Sequence, residues 1–237
     1  MKFKIGHSTH TGIKRDHNED TYGVCHEKNM WLVADGMGGH DHGELASAMA
    51  RDSILHYYAQ GNSLKDTIIK ANQVIIDSSY ERGGDLPMGT TIVILTEEQN
   101  KYNAAWVGDS RIYKYSNNKL TAISTDHSYV QELVDQKLIT QEQARTHPHR
   151  NVVTQALGVT DNSEIKVAQS QGEIKAGDKF LLCSDGLTEE VDDHTLAEIM
   201  GKNLHPQEIT DQLTVAALKS GGSDNITVII LEAQEST

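Results

Sequence analysis

Apolar residues follow two rhythms along this chain. Short unbroken runs at Trp31–Asp35, Thr90–Leu95, Tyr102–Val107, Arg111–Tyr115, Lys179–Cys183 and Asn225–Glu232 predict strands. Between them, apolar positions recur every three or four residues. Ala46, Met49, Ala50, Ile54 and Tyr57 share one helical face, as do Leu64, Ile68, Ala71 and Ile75. Near the end Ile209, Leu213, Ala216 and Ala217 repeat the pattern. Ser63 and Asp66 are placed as a cap for the second helix. Pro206 suits a first helical position, and Gly221-Gly222 can end the third helix. Each helix has a single apolar face that a sheet must cover, so the expected fold is α+β, two packed sheets with helices outside.

The segment Asp126–Arg150 breaks this pattern. It holds two short helical pieces, Tyr129–Gln136 and Gln141–Arg145. Thr140 and Gln143 form a capping box for the second, and Pro148 prevents its continuation. The segment reads as an excursion from the sheets, either a mobile flap or an ordinary surface hairpin. No linker, repeat or Pro-rich hinge divides the chain, so a single domain over residues 1–237 is expected.

Composition narrows the function classes. A hydrophobic fraction of 37% supports a real core, and a net charge of -13 disfavours nucleic acid and anionic membranes as partners. The two cysteines, Cys25 and Cys183, have no metal-binding spacing, and Cys183 lies within an apolar run as a small core residue. No apolar stretch approaches the roughly 20 residues needed to span a bilayer. Met1–His7 lacks the apolar segment of a signal peptide, so a cytoplasmic protein is expected.

Acidic residues stand at the ends of the strand-like runs. Asp35, Asp109 and Asp185 close three of them, and Asp224 opens a fourth. Neighbouring antiparallel strands reverse direction, so such acids can meet at one sheet edge. Gathered carboxylates repel one another unless cations neutralise them. Each motif alone is an ordinary Asp-Gly turn or loop acid; together they point to an oxygen-ligand metal site, suited to Mg2+ or Mn2+. Gly36 and Gly38-Gly39 allow the backbone after Asp35 to turn and present carbonyls. His40-Asp41-His42 and His147-Pro148-His149 read as exposed loop histidines. Arg15, with Glu19 and Asp20 close behind, is either an anion clamp beside a cation site or a solvated charge cluster.

Taken in order, these blocks resemble the bacterial PP2C-like (PPM) metal-dependent serine/threonine protein phosphatases. They run from Thr9-His10-Thr11-Gly12 and Arg15-x-x-Asn18-Glu19-Asp20 through Asp35-Gly36-Met37-Gly38-Gly39-His40 and Gly43-Glu44-x-Ala46-Ser47. Gly89-Thr90-Thr91, Val107-Gly108-Asp109-Ser110-Arg111, Thr125-Asp126-His127-Ser128 and Ala156-Leu157-Gly158 follow. Leu182-Cys183-Ser184-Asp185-Gly186-Leu187 and Gly222-Ser223-Asp224-Asn225-Ile226-Thr227 complete the series.

The resemblance implies a four-layer αββα sandwich with a flap at residues 126–150. It implies that Asp35 bridges two Mn2+ or Mg2+ ions, with Asp185 and Asp224 completing the first. The Gly36 carbonyl would help hold the second, and Glu19 and Asp20 would act on that ion or its waters. Arg15 would bind the substrate phosphate, and Asp109 with Asp185 would hold a third ion. The implied reaction is attack by a hydroxide bridging two ions about 4 Å apart on phosphoserine or phosphothreonine. The implied partners are phosphorylated proteins and an opposing Ser/Thr kinase, with the phosphatase a monomer. The alternative is a catalytically weak phosphoprotein-binding regulator of the same fold. Met37 stands where animal members carry a histidine proposed as general acid, so that role is unassigned.

Overall fold

A computed structural model describes residues 1–38, 41–81 and 88–235. One antiparallel sheet contains β1 (Lys2–His10), β11 (Ile226–Gln234), β10 (Lys179–Cys183), β7 (Arg111–Ser116) and β8 (Lys119–Ala122), in that spatial order. The other contains β2 (Asp20–Cys25), β3 (Met30–Met37), β5 (Ile92–Glu98), β6 (Lys101–Val107) and β9 (Ala168–Glu173). A two-residue strand, β4 (Gly89–Thr90), pairs with the end of β3.

Side-chain alternation explains the layering. Trp31 and Val33 of β3 point between the sheets, into a cluster with Phe180, Leu182, Ile229 and Leu231. Leu32 and Ala34 point the other way, onto α1 (Asp41–Ala59) and α2 (Leu64–Glu81), where Ala46, Ile54 and Ile68 meet them. On the far side α6 (Asp193–Met200) and α7 (Pro206–Ser220) lay Leu196, Ile209 and Leu213 over Leu181, Cys183 and Val228. The result is the expected helix, sheet, sheet, helix order. Strands covered on both faces must be apolar at every position, which is why β3 and β10 read as unbroken runs. Cys183 is fully buried and unpaired, a core residue as expected.

The helix ends form as the sequence signals. Ser63 Oγ accepts the Asp66 N–H at 3.1 Å and donates to Asp66 Oδ2 at 2.7 Å. Pro206 opens α7, and Gly222 N–H reaches Ala217 O at 3.1 Å where that helix stops. In the Asp126–Arg150 excursion, α3 (Tyr129–Asp135) and α4 (Gln141–Arg145) form a hairpin, with the Thr140–Gln143 capping box in place. Its base is tied back by Tyr129 N–H to Val152 O at 2.9 Å and Thr154 N–H to His127 O at 2.8 Å.

Several elements depart from the sequence-based expectation. The Thr90–Leu95 run is split at Thr91 into β4 and β5, because Thr91 N–H turns to Asp35 O at 2.8 Å. The helices α5 (Asp185–Thr188) and α6, and the strands β1, β2, β8 and β9, were not expected, although Leu196, Ile199 and Met200 of α6 have helical spacing and Phe3 and Ile5 of β1 alternate with lysines. All four of those strands are sheet edges.

Candidate active site

Strand pairing gathers the acids. Antiparallel register sets Asp20 on β2 opposite Asp35 on β3. In the other sheet Cys183 lies opposite Val228, so Asp185 follows one strand where Asp224 precedes its neighbour. Ser184 Oγ joins the sheets, donating to Asp20 Oδ2 at 2.7 Å and accepting the Thr227 N–H at 3.0 Å. Asp109 lies on the turn carrying the chain from β6 to β7, that is, from one sheet to the other. Asp35 feels Asp20, Asp185, Asp109 and Asp224 as neighbouring charges. The acids were expected along one sheet edge; they come instead from both sheets and converge at one end of the sandwich. Nor does Asp35 close its strand, since β3 runs on to Met37 to pair with β4.

The loop between β1 and β2 is folded onto this end by Asn225. Its Nδ2 donates to Thr11 O at 2.8 Å and His17 O at 2.9 Å, and its Oδ1 accepts the Glu19 N–H at 2.7 Å. The loop delivers Arg15, whose Nη2 lies 2.6 Å from Asp224 Oδ2 while the side chain stays 53% exposed. Glu19 is fixed from below, where Ser47 Oγ of α1 donates to Glu19 O at 2.6 Å and Gly36 N–H reaches the same carbonyl at 3.2 Å. Close approach at this point demands glycine. A Cβ on Gly36 would collide with Gly43 O, and one on Gly43 would lie 2.6 Å from Glu19 Cδ. The Gly43-Glu44-Leu45-Ala46-Ser47 block is therefore a helix start shaped to fit beneath Glu19. Gly39 and His40 lie outside the described residues.

The electrostatics are those of acids awaiting positive charge. Burial pushes the Asp20 carboxyl up to about 7 in spite of its hydrogen bond from Ser184. Asp185 is pushed up to about 6, by burial first and by Asp224 next. Asp35 and Asp109 are raised well above the carboxylate range, by burial and then by the facing acids. Asp20 Oδ1 and Asp185 Oδ1 are buried with no hydrogen-bond partner. Buried polar atoms are normally paired, and a buried charge is costly without compensation.

A divalent cation supplies what these oxygens lack, and an all-oxygen donor set suits Mg2+ or Mn2+ over zinc. Among the described residues, no three His, Cys, Asp or Glu side chains close into a cluster able to hold an ion by themselves. A hard ion such as Mg2+ does not need one, because it binds through one or two carboxylates and keeps several waters. The residues present fit such ions.

Residues 9–219 match the family model described as protein phosphatase 2C. The chain belongs to this family. It is 35% identical over 227 residues to the serine/threonine protein phosphatase PstP of Mycobacterium tuberculosis, a match covering 93% of this chain and 43% of that protein. The chain thus spans less than half the length of that relative. The serine/threonine phosphatase stp of Listeria monocytogenes is 35% identical over 240 residues, covering 94% of this chain and 93% of that one. The solved catalytic domain of PstP in complex with 2 manganese ions superposes with a TM-score of 0.87 at 31% identity, over 98% of this chain and 99% of that one.

Beside the acids of this phosphatase 2C fold lies a second charged assembly. Arg111 grips Asp126 with Nε at 2.8 Å from Oδ1 and Nη2 at 2.6 Å from Oδ2. Its Nη1 donates to Tyr113 OH at 3.2 Å, and that hydroxyl donates to Asp193 Oδ1 at 3.3 Å. The base of the α3–α4 hairpin is thereby fixed relative to Asp109. A cleft of about 710 Å³ opens from Asp109 and Asp185, between that hairpin and the segment 188–195. Ser184, Asn225 and Asp126 lie within the sequence motifs, and their positioning roles are evident only in the fold. The partners of Ser184 and Asn225 are far away in sequence, while Asp126 meets Arg111 only 15 residues before it.

Proposed function

We propose that the protein is a metal-dependent phosphatase acting on phosphoserine and phosphothreonine in proteins, a cytoplasmic monomer opposing a Ser/Thr kinase. The observation that carries this reading is the set of buried, uncompensated carboxylates at the sandwich end, in a chain of the protein phosphatase 2C family. Asp35, Asp185 and Asp224, with the Gly36 carbonyl, would hold two divalent ions; Asp109 with Asp185 would hold a third. Such ions supply an ionised water near neutral pH and positive charge for the phosphoryl oxygens.

The remaining steps belong to the chain. Arg15 has one nitrogen on Asp224 and the rest of its guanidinium open, so it can grip a phosphate oxygen without leaving its anchor. Glu19 and Asp20 orient water beside the acids, with Asp20 held by Ser184. Attack by water rather than by a side chain is supported by the state of Cys183, whose thiol burial pushes up to about 12. A thiol so buried is no nucleophile.

The test is hydrolysis of p-nitrophenyl phosphate by chelator-treated protein titrated with Mn2+ and Mg2+. Asp35→Asn should abolish nearly all metal-dependent turnover with the fold intact by circular dichroism. Turnover in that variant equal to the parent would sink the assignment of Asp35. No turnover with either metal, in a folded parent protein, would leave a phosphoprotein-binding regulator of the same fold.

A further inference from the structure

The cleft that opens from Asp109 and Asp185 is not symmetric in charge. Among the described residues, eight carboxylates and three arginines line it. Most of these groups are already committed. Asp126 is held by Arg111, and Asp193 faces Arg145 at 3.7 Å. Glu190 accepts from Ser223 Oγ at 2.6 Å, and Asp192 caps α6 through the Thr195 N–H at 2.8 Å. Glu142, on α4, and Glu189, just past α5, face the cleft from opposite walls with no such partner and are exposed to it.

The cleft also has a built inner end. Asp109 is only 8% exposed, and Asp185 Oδ1 is buried without a hydrogen bond. A chain lying in the cleft would therefore run directly into the proposed phosphate site. Its size suits a few peptide residues rather than a lone ion, since pockets of roughly 300–1,000 Å³ take drug-sized ligands.

Resting on the phosphatase reading above, we infer that this cleft seats the peptide beside the phosphorylated residue and favours basic side chains there, recognised by Glu142 and Glu189. Charge complementarity supports the assignment, because an acidic wall selects cationic partners and rejects acidic ones. Among the described residues, Arg150 is the cleft arginine without a salt bridge; its charge already acts on Glu189 and tempers the preference without reversing it.

The experiment compares two phosphothreonine peptides that differ only in arginine or glutamate at the flanking positions, with p-nitrophenyl phosphate as a substrate too small to fill the cleft. The arginine peptide should have the higher kcat/KM, by roughly five- to tenfold at low salt, as expected for two partly exposed charge pairs. The double variant Glu142→Gln/Glu189→Gln should erase that preference and leave p-nitrophenyl phosphate turnover unchanged. Glu27→Gln/Glu98→Gln removes the same charge from exposed positions elsewhere, and should leave the preference intact.

Equal kcat/KM for the two peptides, or a preference surviving in the cleft variant, would overturn the inference. So would equal losses in both double variants, which would assign the effect to net charge. Binding of the unphosphorylated arginine peptide, followed by fluorescence anisotropy, separates the two readings. If no phosphorylated substrate is turned over yet that peptide binds and is weakened by the cleft variant, the phosphatase reading fails while the basic-peptide site stands. If it binds both double variants and the parent equally, the cleft inference fails whatever the enzyme does.

Discussion

Two buried charge systems lie close together in this molecule and are built in opposite ways. Arg111 and Asp126 satisfy each other through two short hydrogen bonds, and Tyr113 takes up a further guanidinium nitrogen. Lys114 and Asp178 form a similar pair at 2.7 Å, where Asp178 also accepts from the Lys175 N–H at 2.9 Å. At the sandwich end, by contrast, Asp20 and Asp185 each keep a buried oxygen with no partner, and the neighbouring acids repel them. A charge system closed on itself holds backbone in place. One left open has been kept available for something the chain does not supply, at a cost in stability of the isolated protein.

The sharpest way to break this contrast is to remove one member from each system and compare stability. Arg111→Ala strands Asp126 beside a hairpin base, and should cost about 3 kcal/mol, the lower end for a broken buried pair. That end is appropriate because the Arg111 side chain keeps 27% exposure. Asp35→Asn, in chelated buffer, removes repulsion and should raise the midpoint of chemical denaturation. Urea titrations of the two variants without metal give the answer. Equal destabilisation by both would mean that the acids are held by contacts within the chain, and the contrast would collapse.

Next in size is the pH dependence of the metal-free protein. Asp20 and Asp185 have folded values of about 7 and about 6, above the ordinary carboxylate value of the unfolded chain. Between those limits the folded state binds more protons than the unfolded one, so stability falls as pH rises. The effect is complete above the higher folded value. Thermal melts in chelator should therefore give a higher midpoint near about pH 5 than near about pH 8 from these groups. Mn2+ should remove the loss at the higher pH, because bound cations compensate the ionised carboxylates. A midpoint that rises with pH in chelator would show that these acids are not the ones under strain.

The same contrast explains what was legible in the sequence. Interior strands such as β3 and β10 are covered on both faces, so their apolar runs announce them. The edge strands β1, β2, β8 and β9 keep one face or one side in solvent, and their mixed residues carry no run to detect. Asp35, Asp109, Asp185 and Asp224 could be found because each adjoins such a run. The partners that position them could not. Ser184 meets Asp20, and Asn225 meets Glu19, across separations of 164 and 206 residues. A polar residue at a strand end shows that a hydrogen bond is needed, but only the register of two sheets shows with what. The convergence from both sheets, where one edge was expected, arose from the same gap: periodicity assigns strands and leaves their sheet undetermined.

Arg15 belongs to neither system completely, and gives the smallest and most selective test. Its ion pair with Asp224 is half in solvent, where such pairs contribute about 0–1 kcal/mol, so Arg15→Ala should hardly change the denaturation midpoint. The cost should appear in substrate binding, as a KM for phosphopeptide raised roughly tenfold with kcat little changed, the pattern for an interaction made equally in ground and transition states. Arg15→Lys should recover only part of it, since an ammonium cannot hold Asp224 and a phosphate oxygen in one planar fork. If Arg15→Ala lowers kcat and leaves KM unchanged, the guanidinium acts on Asp224 and through it on the metal site. Arg15 would then join the closed charge pairs of the scaffold and lose its place as the hand that takes the phosphate.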